Sequence, residues 1–224
     1  MTPPVTDGAA FGLIMFVGEG YIEMCGHGSI GAATLAVDMG IVAAREPETE
    51  VVIDAVAGVV RVRVNVENGK AKGATLQNVP SFLYKSTTIK VPRLGELPVD
   101  IAFGGNFVAI IEAKDLGITT DVAGIKQATA SGLLEEVTQS IDEQVQVQHP
   151  EKDYIKLRGE MILISDRPVN PEANVRDTVR NIMTITNKII DRSPCGTGTS
   201  ARVATQYAKG QLRLGETLVT ESVI

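Results

Sequence analysis

Two cysteines are the residues of this chain whose surroundings could support catalysis. Each opens the same short pattern, Cys-Gly-x-Gly-Ser/Thr: residues 25–29 read CGHGS and residues 195–199 read CGTGT. A run of apolar residues at helical spacing follows both, over Ser29–Met39 and Thr199–Lys209, and a glycine ends each run. The sequence therefore predicts, twice, a cysteine at the N-terminus of a helix.

The N-terminus of a helix changes the chemistry of a thiol. Unpaired backbone N–H groups and the helix dipole stabilise an anion there, and such placement lowers a thiol pKa from about 8.5 to a value of about 3.5–7.5. Glycines after the cysteine let backbone N–H groups approach a ligand carboxylate closely. Cys25 and Cys195 are therefore predicted catalytic thiols, each beside a binding site for a carboxylate.

The two patterns belong to an internal repeat. When the sequence is shifted by 170 positions (195 − 25), the cysteines coincide and Gly40 falls on Gly210. The strands predicted at Phe11–Phe16 and Val179–Thr186 coincide as well. One strand–turn–helix unit thus occurs twice, and two such halves facing each other would hold one small carboxylate between two thiols.

The glycine-rich strings also fit other functions. Residues 26–31 read GHGSIG, which is the GxGxxG form of a dinucleotide-binding fingerprint. The duplication, the cysteine before each first glycine and the scarcity of alternating βαβ signals argue against that site. A thiol redox protein is a further alternative. It predicts a readily formed Cys25–Cys195 disulfide, whereas acid–base catalysis predicts two free thiols.

The composition excludes several classes of function. The 224 residues carry a net charge of −6, with 44% hydrophobic and 21% charged residues, as in ordinary globular proteins. We expect no nucleic-acid or membrane binding, because both need basic patches. The two histidines, His27 and His149, leave little room for a metal centre, and we assign no chemistry to His149. The absence of a secretory signal and of a long apolar run predicts a cytoplasmic protein.

Strand signals outnumber helix signals, which favours an α+β fold. Val59–Val66 alternates apolar and polar residues, and Asn68-Gly69 predicts a hairpin into Ala71–Val79. One amphipathic helix is predicted over Asp121–Ile141. Its inward residues would be Ile125, Ala128, Leu134, Val137 and Ile141.

The predicted division of the chain follows from its prolines. Pro92–Pro98 is interpreted as the crossing between two domains. The first half would span 1–97 and carry the Cys25 helix, and the second would span 98–224 and carry the Cys195 helix.

The strings around both cysteines resemble the proline racemase family. Residues 24–31 read MCGHGSIG and residues 191–200 read DRSPCGTGTS, and 78–84, 103–107 and 148–150 are also similar to family segments. The family comprises proline racemases, 4-hydroxyproline 2-epimerases and trans-3-hydroxyproline dehydratases. The resemblance implies a diaminopimelate-epimerase-like fold with two pseudo-symmetric halves, each with strands around a central helix, and an active site in the cleft between them.

The resemblance also implies roles for individual residues. Cys25 and Cys195 match the two acid/base thiols of a cofactor-independent, metal-free racemase, in which one thiolate removes the Cα proton and the opposite thiol delivers another. The backbone amides that would bind the substrate carboxylate belong to Gly26, His27, Gly196 and Thr197, and the groups near the ring nitrogen are His27 and Asp191. His27 could instead cap its helix, and Asp191 could pair with Arg192 or hold its turn. Family analogy implies a homodimer.

The implied substrate is free proline or 4-hydroxyproline. Proline is favoured because residues 78–84 and 103–111 look more like the proline racemases, although Ile185 stands where racemases commonly have Phe. The intact Cys195 argues against the dehydratase branch, in which Thr is expected. Family chains extend past both ends of this one. The alternatives are therefore a 4-hydroxyproline 2-epimerase and a catalytically inactive carboxylate-binding fragment of the fold.

Overall fold

The computed structural model describes most of the chain, in five stretches: 1–17, 20–157, 161–166, 178–185 and 189–223. The chain forms two compact units, Met1–Pro80 and Ser81–Ile224. The sequence analysis predicts two halves, 1–97 and 98–224, and those limits stay a prediction.

The first unit contains a four-stranded sheet, a two-stranded hairpin and one helix. Its elements are β1 (Phe11–Leu13), β2 (Met15–Val17), β3 (Gly20–Ile22), α1 (Gly26–Asp38), β4 (Glu48–Ala55), β5 (Gly58–Glu67) and β6 (Lys70–Gln77). The sheet has the order β1-β4-β5-β6, with β1 parallel to β4 and the other pairs antiparallel. Helix α1 packs on β4, β5 and β6, and β2 pairs with β3. The single strand predicted over Phe11–Phe16 is wrong, because the strand is interrupted at Ile14.

Strand β5 confirms the alternation read from the sequence. Val60, Val62, Val64 and Val66 are at most 1% exposed, because successive side chains of a strand point to opposite faces. The predicted hairpin follows at Asn68 and Gly69, whose φ angles of 52° and 70° are both positive, as a type I′ turn requires.

The second unit is built on a larger sheet. Its elements are β7 (Phe82–Val91), β8 (Gly95–Phe103), β9 (Phe107–Glu112), α2 (Ala113–Leu116), α3 (Val122–Ala130), α4 (Leu133–Gln144), β10 (Ile162–Asp166), β11 (Thr178–Ile185), β12 (Ile189–Ile190), α5 (Gly196–Ala208) and β13 (Val219–Glu221). The strand order is β12-β11-β10-β9-β8-β7, and β13 pairs with β11. Helix α5 packs on β7, β8, β9 and β11.

Pro92–Pro98, where the sequence analysis places the crossing between domains, contains the turn between two paired strands, β7 and β8, and the start of β8. One sequence prediction in this unit is wrong. The helix predicted over Asp121–Ile141 is two helices, α3 and α4, because Gly132 adopts a left-handed φ of 75° that ends the helical hydrogen bonding. The residues predicted to face inward are all buried: Ile125, Ala128, Leu134, Val137 and Ile141.

The internal repeat is visible in the two central helices. Helices α1 and α5 both span 13 residues, and each begins directly after its cysteine. Both therefore start three residues before the predicted Ser29 and Thr199. Gly40 and Gly210 follow the helix ends with φ angles of 73° and 69°. In each repeat, one of the strands before the cysteine is also parallel to a strand after the helix, β1 to β4 and β11 to β13.

Candidate active site

Cys25 is the residue that precedes α1, and its thiol is half-buried. Its backbone is extended, with φ −136° and ψ 117°. The exposed imidazole of His27 lies beside the thiol, with Nε2 3.6 Å and Nδ1 3.8 Å from Cys25 Sγ. The first unit thus brings Cys25, Gly26 and His27 together in one helical turn, where an imidazole can exchange a proton with the sulfur or stabilise its anion.

Cys195 occupies the equivalent position before α5 in a different environment. Its thiol is buried, and the backbone N–H of Gly198 donates to Sγ at 3.3 Å. The Thr197 hydroxyl lies 3.5 Å from the same sulfur. Because N–H donors at a helix N-terminus favour an anion, this arrangement suits a thiolate. Cys25 and Cys195 are not joined in a disulfide.

The third residue after each cysteine must be glycine for a packing reason. A Cβ at Gly28 would lie 2.9 Å from Met15 Cε and 3.3 Å from Cys25 Sγ. A Cβ at Gly198 would lie 2.9 Å from Leu163 Cδ1 and 3.2 Å from the sulfur of its own cysteine. These glycines therefore give the thiol room as well as leaving backbone N–H groups accessible.

Asp191 helps to shape the loop that leads to Cys195. Its Oδ1 accepts a hydrogen bond from the Ser193 N–H at 2.8 Å, and Ser193 Oγ accepts one from the Cys195 N–H at 3.1 Å. The Asp191 N–H donates to the Met183 carbonyl in β11 at 2.9 Å. These contacts agree with the turn-holding alternative for Asp191, and a role near the substrate nitrogen stays a prediction.

Each unit therefore assembles its own group of predicted site residues. The second group contains Asp191, Cys195, Gly196 and Thr197, with Thr197 buried and Gly196 exposed. The sequence analysis missed the side chains that pack against these groups, which are Met15, Leu163, Met183 and Ser193. The first three come from strands, and only the register of those strands brings them to the cysteines.

Other features of the described residues bear on the choice of site. Within those stretches, no group of three or more His, Cys, Asp and Glu side chains is arranged to hold a metal ion. None of the helices described is both long and apolar enough to span a membrane.

A cavity of about 550 Å³ lies in the second unit, lined by residues that include Asp100, Arg202 and Lys209. Its lining contains none of the predicted site residues.

The similarity of this chain to known proteins decides its family. The family described as proline racemase matches it over residues 1–224. The chain belongs to the proline racemase family. A proline racemase from Acetoanaerobium sticklandii is 45% identical over 96% of this chain, and a 4-hydroxyproline 2-epimerase from Streptosporangium roseum is 39% identical over all of it. The chain spans 63% and 65% of the lengths of these relatives.

The fold is also that of the family. The crystal structure of a hydroxyproline epimerase from Agrobacterium vitis, with bound trans-4-hydroxy-L-proline, superposes with a TM-score of 0.89 at 29% sequence identity. The match covers 99% of this chain and 63% of that one. It confirms the predicted α+β, diaminopimelate-epimerase-like fold class.

Proposed function

We propose that this chain carries both acid–base thiols of a cofactor-independent racemase that inverts Cα of free proline. The observation behind the proposal is that Cys25 and Cys195 hold the same position before two helices of equal length. A racemase needs one proton acceptor and one proton donor on opposite faces of a carbon atom. A duplicated unit with one thiol in each copy meets that need.

The proposed reaction moves one proton off Cα and another onto it. A thiolate, from either cysteine, takes the Cα proton and becomes a thiol, while the electron pair spreads into the substrate carboxylate. Backbone N–H groups at the two helix N-termini stabilise the charge that develops there, and we assign them to Gly26, His27, Gly196 and Thr197. The thiol of the other cysteine then protonates Cα from the opposite face. The roles of the two sulfurs are exchanged at the end, so the reverse reaction starts from the other enantiomer.

His27 and Asp191 are proposed to bind the substrate's ring nitrogen. The carboxylate of Asp191 would attract the protonated secondary amine. Proline, as a secondary amine, is poorly suited to pyridoxal phosphate chemistry, which supports a cofactor-independent route. By analogy with the family, we further propose a homodimer, two pseudo-symmetric halves over 1–97 and 98–224 with the substrate between them, and a cytoplasmic location where thiols stay reduced.

A 4-hydroxyproline 2-epimerase is the second candidate function. The Agrobacterium vitis structure with bound trans-4-hydroxy-L-proline favours it. Proline stays the first choice because the Acetoanaerobium relative, a proline racemase, is more similar to this chain than the Streptosporangium epimerase. The chemistry at Cα would be the same for both substrates, so a comparison of the two in one assay decides between them.

The test is deuterium incorporation at Cα of L-proline and of trans-4-hydroxy-L-proline in D2O. We expect exchange with inversion by the parent chain and by the control Ser140→Ala, whose buried hydroxyl lies in α4 outside the predicted site. Cys25→Ser and Cys195→Ser should each lower the rate by about 10²-fold or more, since a hydroxyl is a far weaker acid and its anion is scarce at neutral pH.

Two results would contradict the proposal. Exchange that persists in both cysteine variants would remove the two-thiol mechanism. A folded parent that exchanges neither substrate would overturn the activity, and calorimetric binding of proline would then support the catalytically inactive carboxylate-binding alternative.

A further inference from the structure

A chain of polar contacts lies behind the loop that carries Cys195. Ser165 Oγ donates to Asn181 Oδ1 at 2.8 Å, and both residues are 0% exposed. This short bond fixes the amide of Asn181, so that its Nδ2 faces the Pro194 carbonyl and Thr199 Oγ1, each at 3.5 Å. Thr199 Oγ1 donates to the same Pro194 carbonyl at 3.3 Å. We call Ser165, Asn181 and Thr199 the polar bracket.

The register of two strands places the bracket under the start of α5. Ser165 in β10 and Asn181 in β11 are direct partners in the antiparallel ladder. Leu163 and Met183 lie two residues along the same strands, and because side chains alternate they share that face. Leu163 and Met183 would meet a Cβ at Gly198, three residues after the cysteine. The same face of the sheet thus contacts the beginning of α5 with an apolar pair and holds the Pro194 carbonyl with a polar pair.

The carbonyl that the bracket holds belongs to the peptide bond before Cys195. Cys195 has φ 62° and ψ 111°. Residues other than glycine rarely adopt this conformation, and it persists only where the surroundings impose it. Rotation of the Pro194–Cys195 peptide would move Sγ away from the Gly198 N–H that donates to it. By holding the Pro194 carbonyl, the polar bracket therefore helps to keep the sulfur next to the Gly198 N–H, which stabilises the thiolate.

The described residues of the first repeat differ at the positions that match Asn181 and Thr199. A shift of 170 positions places Phe11 where the second repeat has Asn181, and Ser29 where it has Thr199. Ser29 is 0% exposed, and its Oγ has no hydrogen-bond partner among the described residues. Cys25 has an ordinary extended backbone. The polar bracket and the positive φ of the cysteine occur together in the second repeat, whereas the described residues Phe11, Cys25 and Ser29 of the first show neither.

We propose that Asn181, oriented by Ser165, is a positioning residue that holds the Cys195 thiol in place for proton transfer. Asn181 itself touches neither the sulfur nor the substrate, and acts through the Pro194 carbonyl. The inference rests on the proposed function for its purpose. Its physical content, the control of one thiol by a buried amide, can be measured without turnover.

The test uses Cys25→Ser as the background, so that Cys195 is the only thiol in the chain. The rate of alkylation by iodoacetamide is measured against pH in that background and with Ser165→Ala, Asn181→Leu or Ser140→Ala added. Ser140→Ala is the matched control, because it makes the same change at a buried serine whose Oγ donates to the Glu136 carbonyl within α4. Circular dichroism reports whether each variant is folded.

We expect the pH midpoint of alkylation to rise by roughly 0.5–1 unit in Ser165→Ala and Asn181→Leu, because a loosened loop weakens the Gly198 N–H contact with the thiolate. Ser140→Ala should leave it unchanged. If Asn181→Leu does not fold, Ser165→Ala decides. In the two-cysteine chain, the bracket variants should lower kcat for Cα exchange by roughly three- to tenfold with little change in KM.

A midpoint that stays at the parent value in folded Ser165→Ala or Asn181→Leu would overturn the proposal. An equal shift in Ser140→Ala would overturn it too, since the effect would then be general loosening. Failure of the proposed function has a different signature, in which the parent exchanges no substrate while the bracket variants still shift the alkylation midpoint.

Discussion

Cys25 and Cys195 begin the same short sequence pattern, but their thiols lie in different environments. The pattern Cys-Gly-x-Gly gave enough information to predict that Cys25 and Cys195 precede helices, because glycine and a terminal N–H are local features. It did not predict that Cys25 would lie beside an imidazole, or that Cys195 would be buried and receive the Gly198 N–H. One part of the difference comes from the x residue of the string, His27 or Thr197, and the other part comes from the strands behind each helix, which the string does not encode.

The glycines after the cysteines allow a test at the scale of single residues. Gly198→Ala should lower the free energy of unfolding by about 1–3 kcal/mol, because the new methyl group meets Leu163 Cδ1 at 2.9 Å and Met183 Cε at 3.2 Å in the core. Gly28→Ala should lower the free energy of unfolding by less, because the atoms nearest to the new methyl group belong to the flexible end of the Met15 side chain. Gly31→Ala is the control. Gly31 lies inside α1 with open space around it. Its replacement by alanine should raise the free energy of unfolding by about 0.5–1 kcal/mol. Urea unfolding measures all three, and an equal loss in Gly31→Ala would contradict the packing explanation.

At the scale of whole elements, the sequence was informative wherever one face is buried. Strand β5 was predicted because its valines alternate with polar residues. Strand β7 was missed because its middle, Lys85–Thr88, is polar and much of it is exposed, so that only its pairing with β8 defines it. The two central helices were predicted three residues short. Their first turns contain glycines, and glycine gives no helical signal even where a helix N-terminus needs it.

The ends of the two central helices should respond equally to the same mutation. Gly40 and Gly210 have φ angles of 73° and 69°, and a methyl group added at either glycine would meet no side chain or distant backbone atom within 4 Å. Alanine at either position should therefore cost about 1–2 kcal/mol through backbone strain alone, as measured by thermal or urea unfolding. Asparagine tolerates this conformation better, so Gly40→Asn and Gly210→Asn should cost less than the alanine variants. An alanine variant as stable as the parent would show that the left-handed end is not required.

At the scale of the whole molecule, the two units contain different buried titrating groups. In the first unit, Asp54 is buried, and Oδ2 accepts hydrogen bonds from the N–H groups of Val5 and Thr6 at 2.7 and 2.9 Å. The Thr6 side chain is the main cause that lowers the pKa of Asp54 below its ordinary 3.8, followed by the Thr6 backbone N–H. In the second unit, burial lowers the pKa of His149 below its ordinary 6.5, and the charge of Lys152 adds to the effect. The sequence showed both residues but not their burial, which depends on contacts between distant segments.

These two groups predict a stability profile with two acid steps. His149 is packed among Phe82, Phe103 and Phe107, with its ring centroid 4.7 Å from that of Phe103, and Nδ1 accepts the Glu151 N–H at 3.1 Å. Below pH 6.5 the unfolded chain takes up a proton that the folded chain does not, so the free energy of unfolding should fall as the pH drops towards the folded pKa of His149.

The carboxylate acts at lower pH. Asp54 stabilises the fold above pH 3.8, and that contribution should be lost only as the pH falls through its lower folded pKa. Urea unfolding at a series of pH values, followed by circular dichroism, measures both steps. His149→Gln should flatten the profile just below pH 6.5 and leave the step below pH 3.8 in place. Asp54→Asn should leave the change below pH 6.5 in place and reduce the step below pH 3.8 without abolishing it, because the Gly124 N–H also lowers the pKa of Asp121 below its ordinary 3.8. If His149→Gln kept the full fall in the free energy of unfolding just below pH 6.5, the buried imidazole would not be its source.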